Sequence, residues 1–203
     1  MAKPRLTYFD NPRSRGEECR LALFLAGVDF EDNRIARDAW PTLKPKTPFG
    51  SLPTFELEGK PPVSQSNAIL GYVGRRYGLY PKDEWEALRL DSLLSACEDL
   101  RYAVGRTLGI QDPEELKRKR TELVAGPLKT WAANMEKQIV GPFAGGSDIS
   151  VADIKLFIVT GWLKGGVLDH VPADVLAEFP KLEKLHESVK KHPKVAAWYA
   201  RTG

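Results

Sequence analysis

Residues 48–66 read P-F-G-S-L-P-T-F-E-L-E-G-K-P-P-V-S-Q-S, and this stretch decides the fold of the chain. Gly50 and Pro53 are typical of a turn, and residues 54–57 alternate between polar and apolar side chains as a short strand does. A Glu-Gly-Lys turn then reverses the chain before an amphipathic helix begins at residues 65–66. The pattern predicts a tight hairpin that leads directly into a helix N-terminus.

A helix N-terminus in this position favours the binding of a small anion. Exposed backbone N–H groups and the positive end of the helix dipole attract a carboxylate, and Gln65 and Ser66 add side-chain partners beside it. The alternative interpretation is a surface hairpin followed by a serine-capped helix, because short motifs of this kind also occur without a ligand.

The residues before this stretch predict a strand, a helix and a second strand. An alternating, β-rich segment at 5–9 is followed by helical spacing at 17–26 and by another strand at 28–35. With a helical turn at 38–43, the order is βαβαββα, which is that of a thioredoxin-like domain. The loop after the first strand lacks the C-x-x-C of a dithiol oxidant, so the domain is predicted to bind a thiol.

Composition excludes several classes of protein. Thirty basic and 27 acidic residues leave a formal charge of +3, which does not favour nucleic acid as a partner. No apolar run is long enough to span a membrane, and the first residues lack the apolar stretch of a signal peptide, so we expect a cytoplasmic protein that needs no membrane. Cys19 and Cys97, with three histidines, show no metal-ligand spacing, so no metal is expected.

The second half of the chain is predicted to be entirely helical. Residues 79–84 contain Pro81 and interrupt the helical pattern, so we place a linker there, between a domain of residues 1–78 and a helical domain of residues 85–203. One long helix is expected from 114 towards 139. Ser150 and Asp153 have the spacing of a capping box that begins a further helix.

Three groups of residues resemble the cytosolic glutathione transferases. The Leu52-Pro53 step, the hairpin and Gln65-Ser66 resemble the segment with which that family recognises glutathione. The strand L-T-Y-F, which contains Tyr8, followed by Arg15 and Arg20 resembles the sigma class, whose members include glutathione-dependent prostaglandin D synthases. The segment Asp38-Ala39-Trp40-Pro41 with Lys44 resembles the second glutathione contact region of that class, so the resemblance covers the whole chain.

The resemblance implies a role for each matching residue. Tyr8 would hydrogen-bond the thiolate with Arg15 near the sulfur, and the Leu52-Pro53 bond would be cis. The expected contacts of glutathione, the co-substrate, are Trp40, Lys44, Ser51, Leu52, Pro53, Gln65 and Ser66. In a homodimer, Asp99 of the neighbouring subunit would complete the site, although a solvated carboxylate is the alternative. Tyr102 and Arg106 would line the pocket for a hydrophobic electrophile.

The resemblance leaves the reaction and the thiolate's partner open. Conjugation of glutathione to electrophiles is the favoured activity, and the alternatives are an isomerase or peroxidase on the same thiolate or a non-catalytic interaction protein. The loop between Tyr8 and Arg20 is one residue longer than the usual pattern and contains Ser14, a second candidate for the thiolate's hydroxyl partner. We favour Tyr8 because sheet pairing fixes its strand, whereas Ser14 and Glu17 have the spacing of a capping box.

Overall fold

The structure is a computed structural model that describes residues 3–202. Residues 3–77 contain a four-stranded sheet and three α-helices, and residues 84–202 contain six further α-helices. The strands are β1 (Arg5–Phe9), β2 (Glu31–Ile35), β3 (Thr54–Glu56) and β4 (Val63–Ser64). The helices are α1 (Arg15–Leu25), α2 (Trp40–Leu43), α3 (Ser66–Tyr77), α4 (Glu84–Gly105), α5 (Pro113–Leu123), α6 (Lys129–Gln138), α7 (Val151–Lys164), α8 (Pro180–Lys191) and α9 (Pro193–Thr202).

The sheet has the strand order β2-β1-β3-β4, with β1 parallel to β2 and the other neighbours antiparallel. This arrangement confirms the predicted thioredoxin-like βαβαββα order and the all-helical second part. Strand β2 begins at Glu31 and not at Val28, because Val28 takes part in the turn that ends α1. The N–H of Val28 donates to Leu23 O, and the N–H of Gly27 donates to Phe24 O. Gly27 has a φ of 70°, and the two hydrogen bonds satisfy the last carbonyls of α1.

The chain forms two compact units, Met1–Pro81 with His192–Gly203, and Lys82–Lys191. The first unit includes α9, which the predicted range 85–203 had assigned to the helical domain. Apolar packing explains the difference: the Trp198 ring packs 5.2 Å from that of Phe24 between centroids, and Lys194 Nζ donates to Leu25 O at 2.7 Å. The linker at 79–84 stays a prediction, as do the two domain ranges.

Helix α7 lies at the centre of the helical unit, and residues 151–160 are all buried. Its predicted capping box is confirmed: the Ser150 side chain accepts from Asp153 N, and Asp153 Oδ2 accepts from Ser150 N at 2.8 Å. The predicted long helix from 114 to 139 is wrong in its middle, where Val124–Leu128 forms a π-helical stretch. Pro127 lies inside this stretch, and proline removes a helical hydrogen bond.

His186 of α8 is a half-buried titratable group that contacts α7. Its ring lies 4.8 Å from that of Phe157, and Nδ1 lies 2.7 Å from Thr160 Oγ1. Burial, with a smaller contribution from Lys164, lowers the pKa of His186 to about 4. The folded chain therefore keeps this imidazole neutral at pH values where the unfolded chain protonates it.

This difference in pKa predicts that acid destabilises the fold through His186. Between pH 6.5 and about 4 the unfolded state binds more protons, so the free energy of unfolding should fall as the pH falls, by up to about 1.4 kcal/mol per unit. Urea unfolding at pH 7 and pH 5 measures this slope. His186→Gln should show a flatter pH dependence than the wild type, and an identical dependence in both proteins would contradict the prediction.

Candidate functional site

The segment of residues 48–66 has an unusual backbone. The Leu52-Pro53 bond is cis, as predicted. Phe49 and Gln65 have positive φ angles of 56° and 78°, which non-glycine residues adopt infrequently and which occur often at binding sites. Gln65 lies immediately before α3, so its unusual conformation shapes the approach to the N-terminus of that helix.

A buried hydroxyl holds the two ends of this segment together. Ser64 Oγ donates to Pro48 O at 3.0 Å and lies 3.2 Å from Ser51 O. The loop that precedes the cis bond is thereby joined to the strand that precedes Gln65. Sequence reasoning missed Ser64, and its one signal was a polar residue at a buried position of the hairpin.

Helix α3 begins with Ser66, which is buried, next to the exposed Gln65. The helix has 12 residues, long enough for its dipole and its first N–H groups to attract an anion. The predicted helix start is therefore present, and its binding of an anion stays a prediction. The roles of the two side chains towards a ligand stay predictions.

Sheet pairing places Tyr8 beside this segment. Thr7 of β1 lies opposite Thr54 of β3 in the antiparallel pair, so Tyr8 and Pro53 are the next residues along the two strands. Tyr8 is half-buried, and its ring lies 5.4 Å from that of Phe9. The structure thus brings the phenol and the cis-proline segment to one edge of the sheet.

Trp40 packs against Phe9, the residue that follows Tyr8 on β1. The Phe9 and Trp40 rings pack edge to face with centroids 6.0 Å apart, and the guanidinium of Arg37 lies 5.2 Å from the Phe9 centroid. Lys44 is exposed, and its stem passes Gly50 closely enough that a Cβ there would lie 3.5 Å from Lys44 Cε. Lys44 thus borders the segment of residues 48–66, and the roles of Trp40 and Lys44 towards glutathione stay predictions.

The structure does not form the capping box predicted for Ser14. Ser14 occupies the N-cap position of α1, but its hydroxyl donates to Asn11 O at 2.7 Å, and its own carbonyl accepts from Glu17 N. The Glu17 carboxylate instead accepts from Trp198 Nε1 at 2.6 Å. The prediction was wrong because buried donors from distant parts of the chain compete successfully for this carboxylate.

Glu17 belongs to a buried charge network that supports the strand carrying Tyr8. Arg20, with no exposed side-chain surface, donates to Asp32 at 2.7 Å, to Glu17 at 3.4 Å and to Phe9 O at 3.1 Å. Burial raises the pKa of Glu17, and the hydrogen bond from Trp198 and the charge of Arg20 oppose this rise. The E-x-x-R spacing was visible in the sequence, but the contact with Trp198 was not.

Three of the expected site residues lie in the helical unit, Asp99 and Tyr102 on α4 and Arg106 at its C-cap. Asp99, Tyr102 and Arg106 are all exposed, and the last two are four residues apart and share one helix face. Asp99 lines a cavity of about 380 Å³ together with Trp131. Their contributions to ligand binding stay predictions.

Among residues 3–202, no group of three or more histidine, cysteine, aspartate or glutamate side chains is arranged to hold a metal ion. Within the same range, no helix is long and apolar enough to cross a bilayer. What the described residues bring together is a phenol beside the cis-proline segment that leads into the N-terminus of α3.

Comparison with known families accounts for this arrangement. Residues 98–202 match the model described as "Glutathione S-transferase, C-terminal domain", and residues 4–75 match "Glutathione S-transferase, N-terminal domain". The chain belongs to the glutathione S-transferase family. The two matches together extend over both compact units.

Individual relatives extend along the whole chain. Glutathione S-transferase 1 of Ascaris suum is 34% identical, over 98% of this chain and 97% of the relative. Hematopoietic prostaglandin D synthase of Gallus gallus is 30% identical, over 98% and 96% respectively. The structure of prostaglandin synthase D of Nilaparvata lugens superposes with a TM-score of 0.88 at 28% identity, covering 100% of this chain and 99% of that one. The resemblance to sigma-like glutathione transferases is thereby confirmed.

Proposed function

We propose that the protein is a glutathione transferase that conjugates the glutathione thiolate to hydrophobic electrophiles. The observation that carries the proposal is the sheet register, which brings Tyr8 next to the cis-proline segment that leads into α3. Family membership supports the same conclusion. Removal of reactive electrophiles, a detoxification role, follows from this chemistry.

The expected chemistry is stabilisation of the thiolate by Tyr8. A free thiol has a pKa near 8.5, so lowering this pKa by about two units would make most of the thiol reactive at neutral pH. Such a shift requires that the thiolate be stabilised by about 2.7 kcal/mol. A hydrogen bond to a charged acceptor contributes roughly 1.5–3 kcal/mol. One phenol, with the positive charge of Arg15 near the sulfur, is therefore sufficient. Because β1 pairs on both sides, the phenol is held in place before the reaction.

The rest of the tripeptide is expected to extend along residues 40–66. Gln65, Ser66 and the α3 N-terminus would bind the γ-glutamyl carboxylate, and the Leu52 backbone would pair with the peptide of the ligand. Trp40 and Lys44 would contact the glycyl end. An extended ligand with a carboxylate at each end matches a segment that offers a helix N-terminus at one end and a lysine at the other.

A glutathione-dependent isomerase is the second candidate. The relative from Gallus gallus and the structure from Nilaparvata lugens are both named as prostaglandin D synthases. Isomerisation uses the same thiolate and returns glutathione unchanged, whereas conjugation consumes it. A peroxidase or a non-catalytic protein on this fold are the remaining alternatives.

An activity screen separates these candidates. Purified protein with glutathione is tested against halonitroarenes, enals, isothiocyanates, hydroperoxides and an endoperoxide, with thiol consumption measured in each reaction. Conjugation should consume one thiol for each electrophile, and turnover of the endoperoxide without thiol loss would indicate the isomerase. Absence of turnover with every substrate, despite glutathione binding, would favour the non-catalytic role.

A homodimer that shares its glutathione site through Asp99 is part of the proposal. Exposed Trp85 and Leu88 lie one helical turn apart on α4, the helix that carries Asp99, and apolar side chains exposed in this way are typical of interfaces. A cytoplasmic location is also proposed, and cell fractionation would test it.

Asp99→Ala should raise the KM for glutathione and leave the KM for the electrophile nearly unchanged, because the carboxylate is expected to contact only the γ-glutamyl amine. Steady-state kinetics with each substrate varied in turn measures both constants. Asp148→Ala, which removes another exposed carboxylate of the helical unit, is the matched control. A monomer by light scattering, or an unchanged KM for glutathione, would contradict the shared site.

A further inference from the structure

Gly16, the second residue of α1, lies directly against the side chain of Tyr8. A Cβ built on Gly16 would lie 2.4 Å from both Cγ and Cδ1 of Tyr8 and 2.6 Å from its Cβ. Carbon atoms in contact are normally separated by about 3.5–4.0 Å, so any larger residue at position 16 would overlap with Tyr8.

Space, and not backbone freedom, explains the glycine at this position. Gly16 lies within α1, and its φ angle is outside the left-handed region that favours glycine. The three heavy atoms nearest to the added Cβ all belong to the Tyr8 side chain. The missing side chain therefore provides room for Tyr8 in particular.

We propose that Gly16 is a positioning residue for Tyr8. The first turn of α1 packs against the phenol at Gly16 and fixes the direction of the Tyr8 hydroxyl. The inference rests on the proposed function, in which that hydroxyl holds the thiolate. The loop that leads into α1 is one residue longer than the pattern it resembles, and its end is held by the Ser14 hydroxyl bond to Asn11 O. The first turn of α1 is thus held close to β1, and glycine is the residue that fits between them.

Gly16→Ala should displace the Tyr8 hydroxyl without removing it. The phenol ring is rigid, so a shift at Cγ is carried to the hydroxyl, and a misplacement of about 1 Å at a reacting group can lower the rate by up to 100-fold. We expect the pKa of bound glutathione's thiol to rise by about one unit and kcat to fall about tenfold. The KM for glutathione should change far less, because the contacts along residues 40–66 are kept.

The experiment titrates thiolate absorbance against pH for glutathione bound to four proteins: the wild type, Gly16→Ala, Tyr8→Phe and Tyr8→Phe/Gly16→Ala. If Gly16 acts through the hydroxyl, the alanine should raise the thiol pKa only when Tyr8 is present, so the double variant should match Tyr8→Phe. Gly105→Ala is the matched control, since a Cβ at that helical position meets open space among the described residues. It should keep the wild-type titration.

The outcomes separate this inference from the proposed function. If wild-type protein does not lower the thiol pKa at all, the proposed function fails. If Tyr8→Phe raises the thiol pKa but Gly16→Ala leaves it at the wild-type value, the positioning role of Gly16 is overturned while the proposed function stands. The same holds if the thiol pKa is higher in Tyr8→Phe/Gly16→Ala than in Tyr8→Phe, because the alanine would then act without the hydroxyl.

A second pair of variants applies if Gly16→Ala does not fold. In Tyr8→Gly the side chain that the new Cβ would meet is absent, so Tyr8→Gly/Gly16→Ala should be at least as stable as Tyr8→Gly alone, since alanine favours a helix over glycine. An equal or higher urea midpoint would support the contact that carries the inference. An unfolded double variant beside a folded Tyr8→Gly would overturn it, because the glycine would then be required for a different reason.

Discussion

Tyr8→Phe is expected to raise the pKa of the bound glutathione thiol by one to a few units and to lower turnover about tenfold or more, since each unit corresponds to 1.36 kcal/mol. The change removes one oxygen atom and keeps the ring that contacts Phe9 and Gly16. Glutathione affinity should therefore fall much less than kcat. Thiolate absorbance titrated against pH, together with kcat and KM at fixed pH, measures both effects.

Ser14→Ala is the matched control for this prediction, because it removes the other candidate hydroxyl. The Ser14 hydroxyl already donates to Asn11 O at 2.7 Å, so its loss should cost stability and leave the thiol pKa near the wild-type value. A large rise in the Ser14 variant with none in Tyr8→Phe would reverse the assignment.

Arg20→Leu is expected to destabilise the fold by about 3–5 kcal/mol, the usual cost of removing one partner from a buried ion pair. Arg20 is fully buried, and its loss would leave the carboxylates of Asp32 and Glu17 without their shared cation. It would also leave Phe9 O, at the end of the strand that carries Tyr8, without the donor at 3.1 Å. Urea unfolding followed by circular dichroism measures the change.

Arg118→Leu is the control for the buried network. Arg118 also pairs with two carboxylates, those of Glu115 and Glu122, but its side chain is half exposed. Exposed pairs are screened by water, so this variant should change stability far less than Arg20→Leu does. Equal losses of stability in the two variants would show that burial gives the Arg20 ion pairs no greater contribution to stability than exposed pairs make.

Local sequence patterns predicted the parts of the site that depend on neighbouring residues. The turn residues and alternation in residues 48–66 identified the hairpin. The same signals predicted the start of α3 to within one residue of its observed position. The cis geometry at Pro53 came from the family resemblance and not from local propensity. Tyr8 was placed correctly on β1 because a strand's alternation fixes which residues it contains.

Contacts between distant residues explain what the sequence could not predict. Ser14 and Glu17 have the spacing of a capping box, but Trp198, 181 residues after Glu17, donates to that carboxylate. Helix α9 looked like the end of the helical domain until its packing on Phe24 was known. The sequence did not distinguish Gly16 from other glycines, because glycine is needed there only where the Tyr8 side chain packs against α1.

Isothermal titration of wild-type protein with glutathione decides whether the protein binds glutathione, the step on which the whole account depends. S-methyl glutathione, which keeps both carboxylates and lacks the ionisable thiol, serves as the competing ligand. We predict saturable binding of glutathione at one site per chain, with S-methyl glutathione displacing it. No heat of binding at millimolar glutathione would contradict the transferase and the isomerase together.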